Sequence, residues 1–143
     1  MRYIVATDGS EESEEAIRYA ARQAQALDAT LELVHAIEPD AELRNGELVL
    51  PGSDRSTELG EQTLTAGREV ADEVARAHDG TLDVETQLLA GRPADAITNH
   101  ADESGADAIY VGHRGLSEQR ESLVGSVAKA VVDKASVPVT VIR

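Results

Sequence analysis

The chain opens on a short apolar run, Tyr3-Ile4-Val5-Ala6-Thr7, closed at once by Asp8-Gly9. A β-branched run with no helical period, ending in a turn pair, predicts a buried strand. Ser10 stands where an N-cap would, and Glu11 and Glu12 fall in the first helical turn, where the dipole favours carboxylates. Ala16, Ile17, Ala20, Ala21, Ala24 and Leu27 then recur at spacings of three and four, the thin apolar face of an amphipathic helix. Residues 30–37, TLELVHAI, read as a second strand. Residues 38–56 hold two prolines, two glycines and no helical period, which predicts a long connection of the kind used for lids and binding loops. Helical spacing returns over 58–77, with Leu64, Val70, Ala71 and Val74 turned inward. Residues 82–89 form a third strand that stops at Gly91-Arg92-Pro93, and Pro93 suits the first turn of a helix whose inner face is Ala94, Ile97 and Ala101. A fourth strand covers 107–111 and ends at Gly112; a last helix starts near Ser122 or Gly125 and reaches Lys134, and a final strand covers 137–142.

Five strands alternating with four helices are the pattern of an α/β domain on a parallel sheet. If the first three strands wind one way and the last two return on the other side, the sheet is open, its order is 3-2-1-4-5, and helices cover both faces. In such sheets ligands bind beyond the carboxyl ends of the strands where the order reverses. That places the expected crevice between the first and fourth strands. The residues leaving those strands are Asp8-Gly9 and Gly112-His113-Arg114-Gly115, two turns distant in sequence that would face one space.

Composition narrows the picture. At 143 residues the chain fits one domain, 1–143, able to bury roughly 68–70% of its unfolded surface around a single core. The absence of cysteine excludes disulfides, thiolate catalysis and cysteine-ligated zinc. No run approaches a membrane span, and the opening apolar run is too short for a signal-peptide core, so a cytoplasmic location is expected. The formal net charge of −14 argues against nucleic acid or an anionic membrane as partners. Abundant carboxylates, only two lysines (Lys129 and Lys134) and no Phe or Trp resemble the cytoplasmic proteins of salt-accumulating halophiles. An ordinary acidic protein is the alternative.

Against that acidic field the stretch GHRGLSEQRESLVGS, residues 112–126, offers a local exception. Gly112 and Gly115 would let backbone approach a ligand closely, and the N-terminus of the last helix near Gly125-Ser126-Val127 presents N–H groups and a positive dipole end. The Ser126 hydroxyl can add a hydrogen bond, and Arg114 and Arg120 can supply charge, opposed within the same loop by Glu118 and Glu121. Asp8 is the type of acceptor that ribose hydroxyls or an amino group need. The set suits a nucleotide.

The spacing Gly112-x2-Gly115-x9-Gly125-Ser126 resembles the G-x2-G-x9-G-[S/T] pattern of the nucleotide-binding branch of the universal stress protein family. IVATDGSEESEEA, LVHAI, AGRPADAI, ADAIYVGHRG and SVPVTVIR resemble that family in its order, so the likeness covers essentially the whole chain. The resemblance implies a Rossmann-like sheet of the adenine nucleotide alpha hydrolase type that binds ATP, with or without Mg2+, in the expected crevice. It implies Asp8 at the ribose or base, the Ala36 backbone at adenine, and Gly112, Gly115, Gly125, Ser126 and Val127 around the phosphates; His113, which departs from the family where serine is frequent, and Arg114, for its charge, are added as nucleotide-binding candidates between them. It also implies a homodimer through the last strand, where Val137, Val139 and Val141 alternate along an open sheet edge.

Structural explanations exist for the same residues. Gly112 and Gly115 could be turn glycines, Asp8 an Asx-turn residue and Ser126 a helix cap. His78 and His100 are expected at the surface, His35 and His113 near the carboxyl side of the sheet without forming a metal pair, and Glu11, Glu12, Glu14 and Glu15 in a solvated first turn, with Glu14 and Arg18 paired at i, i+4. No Gly-Lys pair exists, which removes the P-loop enzymes. The third strand ends Leu88-Leu89-Ala90 and lacks the aspartate of a phosphoacceptor receiver domain; three tyrosines as the only aromatic residues disfavour a flavin site. No nucleophile and base stand together, so phosphoryl transfer would be slow at most. The expected function is an ATP-binding stress regulator whose nucleotide acts as a conformational or partner switch. The alternatives are a nucleotide-independent interaction protein or chaperone, and a slow ATPase or AMP-forming enzyme.

Overall fold

The computed structural model describes residues 1–38, 42–44, 46–114 and 124–143, with only the backbone considered for 42–44. Gly115, Glu118, Arg120 and Glu121 lie outside the described residues. In chain order the elements are β1 (Arg2–Ala6), α1 (Glu11–Ala26), β2 (Thr30–Ile37), β3 (Glu42–Arg44), β4 (Glu47–Val49), α2 (Asp54–Ala77), β5 (Val84–Ala90), α3 (Pro93–Ser104), β6 (Ala108–Gly112), α4 (Ser126–Lys134) and β7 (Val139–Ile142).

The main sheet has the order β5-β2-β1-β6-β7, and every pair in it is parallel. Counting only the strands of this sheet, that is the expected 3-2-1-4-5. β3 and β4 form a separate antiparallel hairpin within the stretch expected to be a plain connection. Arg44 pairs with Glu47, and Gly46 between them has φ +81°. The dipeptide Asn45-Gly46 is a strong short-range hairpin signal, one that the lack of helical period in this stretch obscured.

Each helix starts where local chemistry permits it. The Ser10 side chain accepts a hydrogen bond from the Ser13 N–H at the head of α1, and the Ser53 side chain accepts one from the Ser56 N–H at the head of α2. That second cap starts α2 at Asp54, ahead of the periodic apolar residues, because a cap satisfies orphan N–H groups without needing core contacts. Pro93 opens α3, and Gly105 closes it in the left-handed conformation.

Two cores flank the sheet. One gathers the alanine face of α1 with Tyr3, Val5, Leu31, Leu33 and Leu64, and the other gathers Ile4, Val34, Ile97, Ile109, Val111 and Val131 beneath α3 and α4. Each fully buried Ile or Leu contributes about 1.5–3 kcal/mol relative to exposure. Leu27, expected on the apolar face, is instead the C-cap of α1 and is 53% exposed, since the helix ends before it can turn inward. Three tyrosines compensate in part for the missing Phe and Trp: Tyr110 lies 5.7 Å from Tyr3 and 6.1 Å from Tyr19, ring centre to ring centre.

Strand β2 breaks the rule that only apolar side chains fill such a strand, because Glu32 and His35 are both buried in it. Glu32 receives a hydrogen bond from His100 Nε2 at 2.7 Å and lies 3.6 Å from Arg2 Nη1. His100 is therefore not the surface residue expected, while His78 is exposed and bonds the Val74 carbonyl. A charge can stay buried only if it is paired, and here two partners reach it.

Candidate functional site

The carboxyl ends of β1 and β6 are neighbours in the sheet, so the two turns that follow them open on the same side. On the β1 side, the Asp8 Oδ1 accepts a hydrogen bond from the Ser10 N–H at 2.9 Å, the geometry of an Asx turn, and Gly9 takes φ +84°. Behind that turn Thr7 and Ser13 share a hydrogen bond between buried hydroxyls at 3.2 Å. The Asp8 carboxylate is thus placed by its own turn, half-exposed at the head of α1.

β2 runs further than β1. The last β1 pairing is Ala6 with Val34, so Ala36 lies on a stretch of β2 that β1 no longer flanks. His35, one residue earlier, is buried and donates from Nδ1 to the Thr7 carbonyl at 2.8 Å, stitching the two strand ends together.

On the β6 side, His113 is buried and tied to β7: its N–H donates to the Ile142 carbonyl at 2.8 Å, and Nδ1 contacts the same carbonyl at 3.3 Å. The Gly125 N–H donates in turn to the His113 carbonyl, which brings the start of α4 against the end of β6. Gly125 is buried, Ser126 and Val127 are exposed, and no side chain of the N-cap residue closes this helix end. Among the sequence-derived candidates, then, Gly112, His113, Arg114, Gly125, Ser126 and Val127 converge through β6 and α4, and Asp8 stands on the neighbouring turn.

Two residues behave differently from expectation. A Cβ on Gly112 would lie 2.9 Å from the Glu12 carbonyl oxygen and 3.2 Å from the Ser13 nitrogen. What approaches Gly112 in the structure is the first turn of α1. Glu12, expected in a solvated turn, pairs its Oε1 with Arg114 Nη2 at 3.1 Å, and the side chains are only 28% and 17% exposed. The solvated reading holds better for Glu14 and Glu15, which pair with Arg18 at 3.5 and 2.6 Å. No pattern within the acidic cluster marked Glu12, because its partner is 102 positions away.

A sizeable cavity of about 630 Å³ lies elsewhere, at the amino ends of the strands, lined by Arg2, Glu32, Arg68, Glu85 and Ser104 among others. Arg2 bonds Glu85 at 2.6 Å at its wall. Its position is opposite to where open parallel sheets take ligands. Among the described residues, no three His, Asp or Glu side chains are grouped to hold a metal ion, and no helix is long and apolar enough to cross a membrane.

A doubly wound sheet with two small-residue turns and a helix N-terminus at its switch point defines the α/β class whose ligand sites form at that crevice. The model of the universal stress protein family matches residues 1–143, and the chain belongs to that family. A universal stress protein of Mycobacterium tuberculosis is 36% identical over 142 residues, 98% of this chain and 94% of that one. The universal stress protein YxiE of Bacillus subtilis is 30% identical over 147 residues, 99% and 98% of the two chains. Among solved structures, a universal stress protein in complex with cAMP is similar at TM-score 0.73 and 28% identity, covering all of this chain and 96% of that one. The universal stress protein of Archaeoglobus fulgidus in complex with dAMP is similar at TM-score 0.75 and 27% identity, covering all of this chain and 98% of that one.

Proposed function

We propose that this protein binds an adenine nucleotide, ATP in the first instance, in the crevice between β1 and β6, and that the bound nucleotide switches its shape or its choice of partner. The observation that carries the reading is the convergence of the end of β6 with the start of α4, where the Gly125 N–H meets the His113 carbonyl. Helix starts favour anions through their N–H groups and dipole. The spacing Gly112-x2-Gly115-x9-Gly125-Ser126 and the adenine nucleotides in two similar structures support it further.

The donor set fits the group. Arg114 Nε is buried and has no hydrogen-bond partner among the described residues, a donor suited to a phosphate oxygen. In this reading Asp8 accepts from the ribose or base, the Ala36 backbone meets adenine, and Gly112, His113, Arg114, Gly115, Gly125, Ser126 and Val127 surround the phosphates. Mg2+ accompanies the phosphates as a counter-ion. Among the described residues Asp8 is held in its Asx turn and His113 is tied to the Ile142 carbonyl, and the reading is one of binding, with turnover slow at most.

The reading extends to a homodimer formed through β7. Among the described residues that strand pairs only with β6, and all four of its residues are part-exposed, which leaves its other edge to a second copy. The cysteine-free, carboxylate-rich and lysine-poor composition supports a cytoplasmic protein of a high-salt cell. Mass spectrometry of small molecules released from the purified, gently denatured protein tests the central claim. ATP, ADP, AMP or a cyclic relative is the expected finding; no bound nucleotide, together with no calorimetric heat on adding ATP, favours the nucleotide-independent interaction protein.

A further inference from the structure

We propose that Glu12 latches Arg114 and thereby sets the phosphate preference of the crevice, holding down its affinity for highly charged nucleotides. This rests on the nucleotide reading above. The pair joins two elements that the fold brings together from opposite ends of the chain, the first turn of α1 and the residue that follows the β6 end. Gly112 makes the contact possible, since its missing side chain admits the Glu12 backbone to within van der Waals reach.

The geometry of the guanidinium is the core of the case. Nε and Nη2 lie on one edge of the arginine side chain and together form a fork that matches two oxygens of one oxyanion. Glu12 Oε1 takes Nη2 at 3.1 Å, while Nε beside it is buried and has no partner among the described residues. The fork is therefore half-filled. Buried donors of this kind are rare in folded proteins and costly to leave unpaired. A phosphate oxygen pair could fill both positions, but only by displacing the carboxylate or by sharing the edge with it.

The electrostatic consequence follows. With Glu12 in place the pair is neutral, so an arriving phosphate meets a dipole rather than a free cation. A nucleotide monophosphate that leans on Asp8, Ala36 and the start of α4 loses little by this. A triphosphate, which needs the full charge of Arg114, loses more. Removing the Glu12 charge should therefore strengthen binding in proportion to phosphate charge.

The test is calorimetric titration of the full chain and of Glu12→Gln, Arg114→Gln and the double variant with ATP, AMP and inorganic tripolyphosphate, each variant first matched to the parent by circular dichroism. Glu12→Gln should bind ATP and tripolyphosphate about tenfold more tightly and shift AMP by less than about threefold. Arg114→Gln should weaken ATP, and the double variant should show no gain over it. An ATP-to-AMP preference unchanged by Glu12→Gln, or a gain that persists without Arg114, overturns the latch and leaves the nucleotide reading standing. A tripolyphosphate gain in Glu12→Gln with no nucleotide bound by any form overturns both the nucleotide reading and the preference proposed here, and leaves only an anion-repelling carboxylate.

Discussion

Gly112 distinguishes two physical reasons for a glycine, and one substitution separates them. In Gly112→Ala the new Cβ would sit 2.9 Å from the Glu12 carbonyl oxygen, 3.0 Å from its carbon and 3.2 Å from the Ser13 nitrogen. All three are backbone atoms of the first turn of α1, so no rotamer change relieves the contact; either β6 or the helix start must move. Overpacking of this kind costs about 1–3 kcal/mol. Gly112 does not occupy the left-handed region, so alanine carries no backbone strain there, and its stiffer unfolded chain returns about 0.4–1 kcal/mol. Taken from the middle of both ranges the net is a loss of about 1–2 kcal/mol, within outer limits of about 0 and 2.6 kcal/mol. For a chain of this length that corresponds to a melting point lower by about 3–8 °C, read by circular dichroism at fixed salt. Melting within about 1 °C of the parent, accompanied by lost nucleotide affinity, would refute the packing account and return Gly112 to the role of a ligand-facing glycine.

Three further outcomes follow from other parts of the structure. Glu32→Gln keeps the shape of the side chain but weakens the bonds to His100 and Arg2; a loss of about 1–3 kcal/mol is expected in the urea midpoint, and an unchanged midpoint would show that the buried carboxylate contributes nothing net. Burial, with smaller contributions from Tyr3 and Tyr19, raises the pKa of Tyr110 above its ordinary value of 10.0; its stabilising contribution is complete below about pH 10 and is lost as pH rises through the folded-state value. Tyrosinate absorbance should therefore show a late-titrating phenol that Tyr110→Phe abolishes. Val139→Asp places charge on the β7 edge and should yield monomers by light scattering, whereas a dimer of unaltered mass would exclude that edge as the interface.

The architecture was readable because the strands and helices carry their own signals. Hydrophobic period, turn pairs and helix caps place β1, α1, β2, α3 and β6 close to their observed bounds, and the reversal of strand order fixes where the crevice must lie. The hairpin of β3 and β4 escaped because it is three residues per strand, too short for periodicity to register, although Asn45-Gly46 announced the turn. The contents of the site were less legible. Asp8 and His113 are expected near a crevice from the ends of the first and fourth strands and Gly125 from the glycine spacing, yet the contacts of Glu12 and of Gly112 lie between residues about a hundred positions apart. The same holds for Glu32 and His100, 68 positions apart. Local sequence reports propensity and burial period, and a pairwise charge contact between distant segments leaves no mark in either.

The acid-rich chain poses a question that the Glu12–Arg114 contact answers in part. A net charge of −14 sets up a long-range field against any phosphate, and Asp8 and Glu12 add carboxylates at the crevice itself. The two effects have different ranges. At an ionic strength of 0.1 M the Debye length is about 10 Å, so much of the surface charge acts on an approaching nucleotide; at 1 M it is about 3 Å, and only groups in contact still count. The 3.1 Å separation of Glu12 and Arg114 falls at that limit. Concentrated salt therefore removes the field but leaves the latch. Affinity for a triphosphate would then be governed by the charges in contact with it, the Glu12–Arg114 pair among them, and the net charge of the protein would set mainly how strongly that affinity depends on salt.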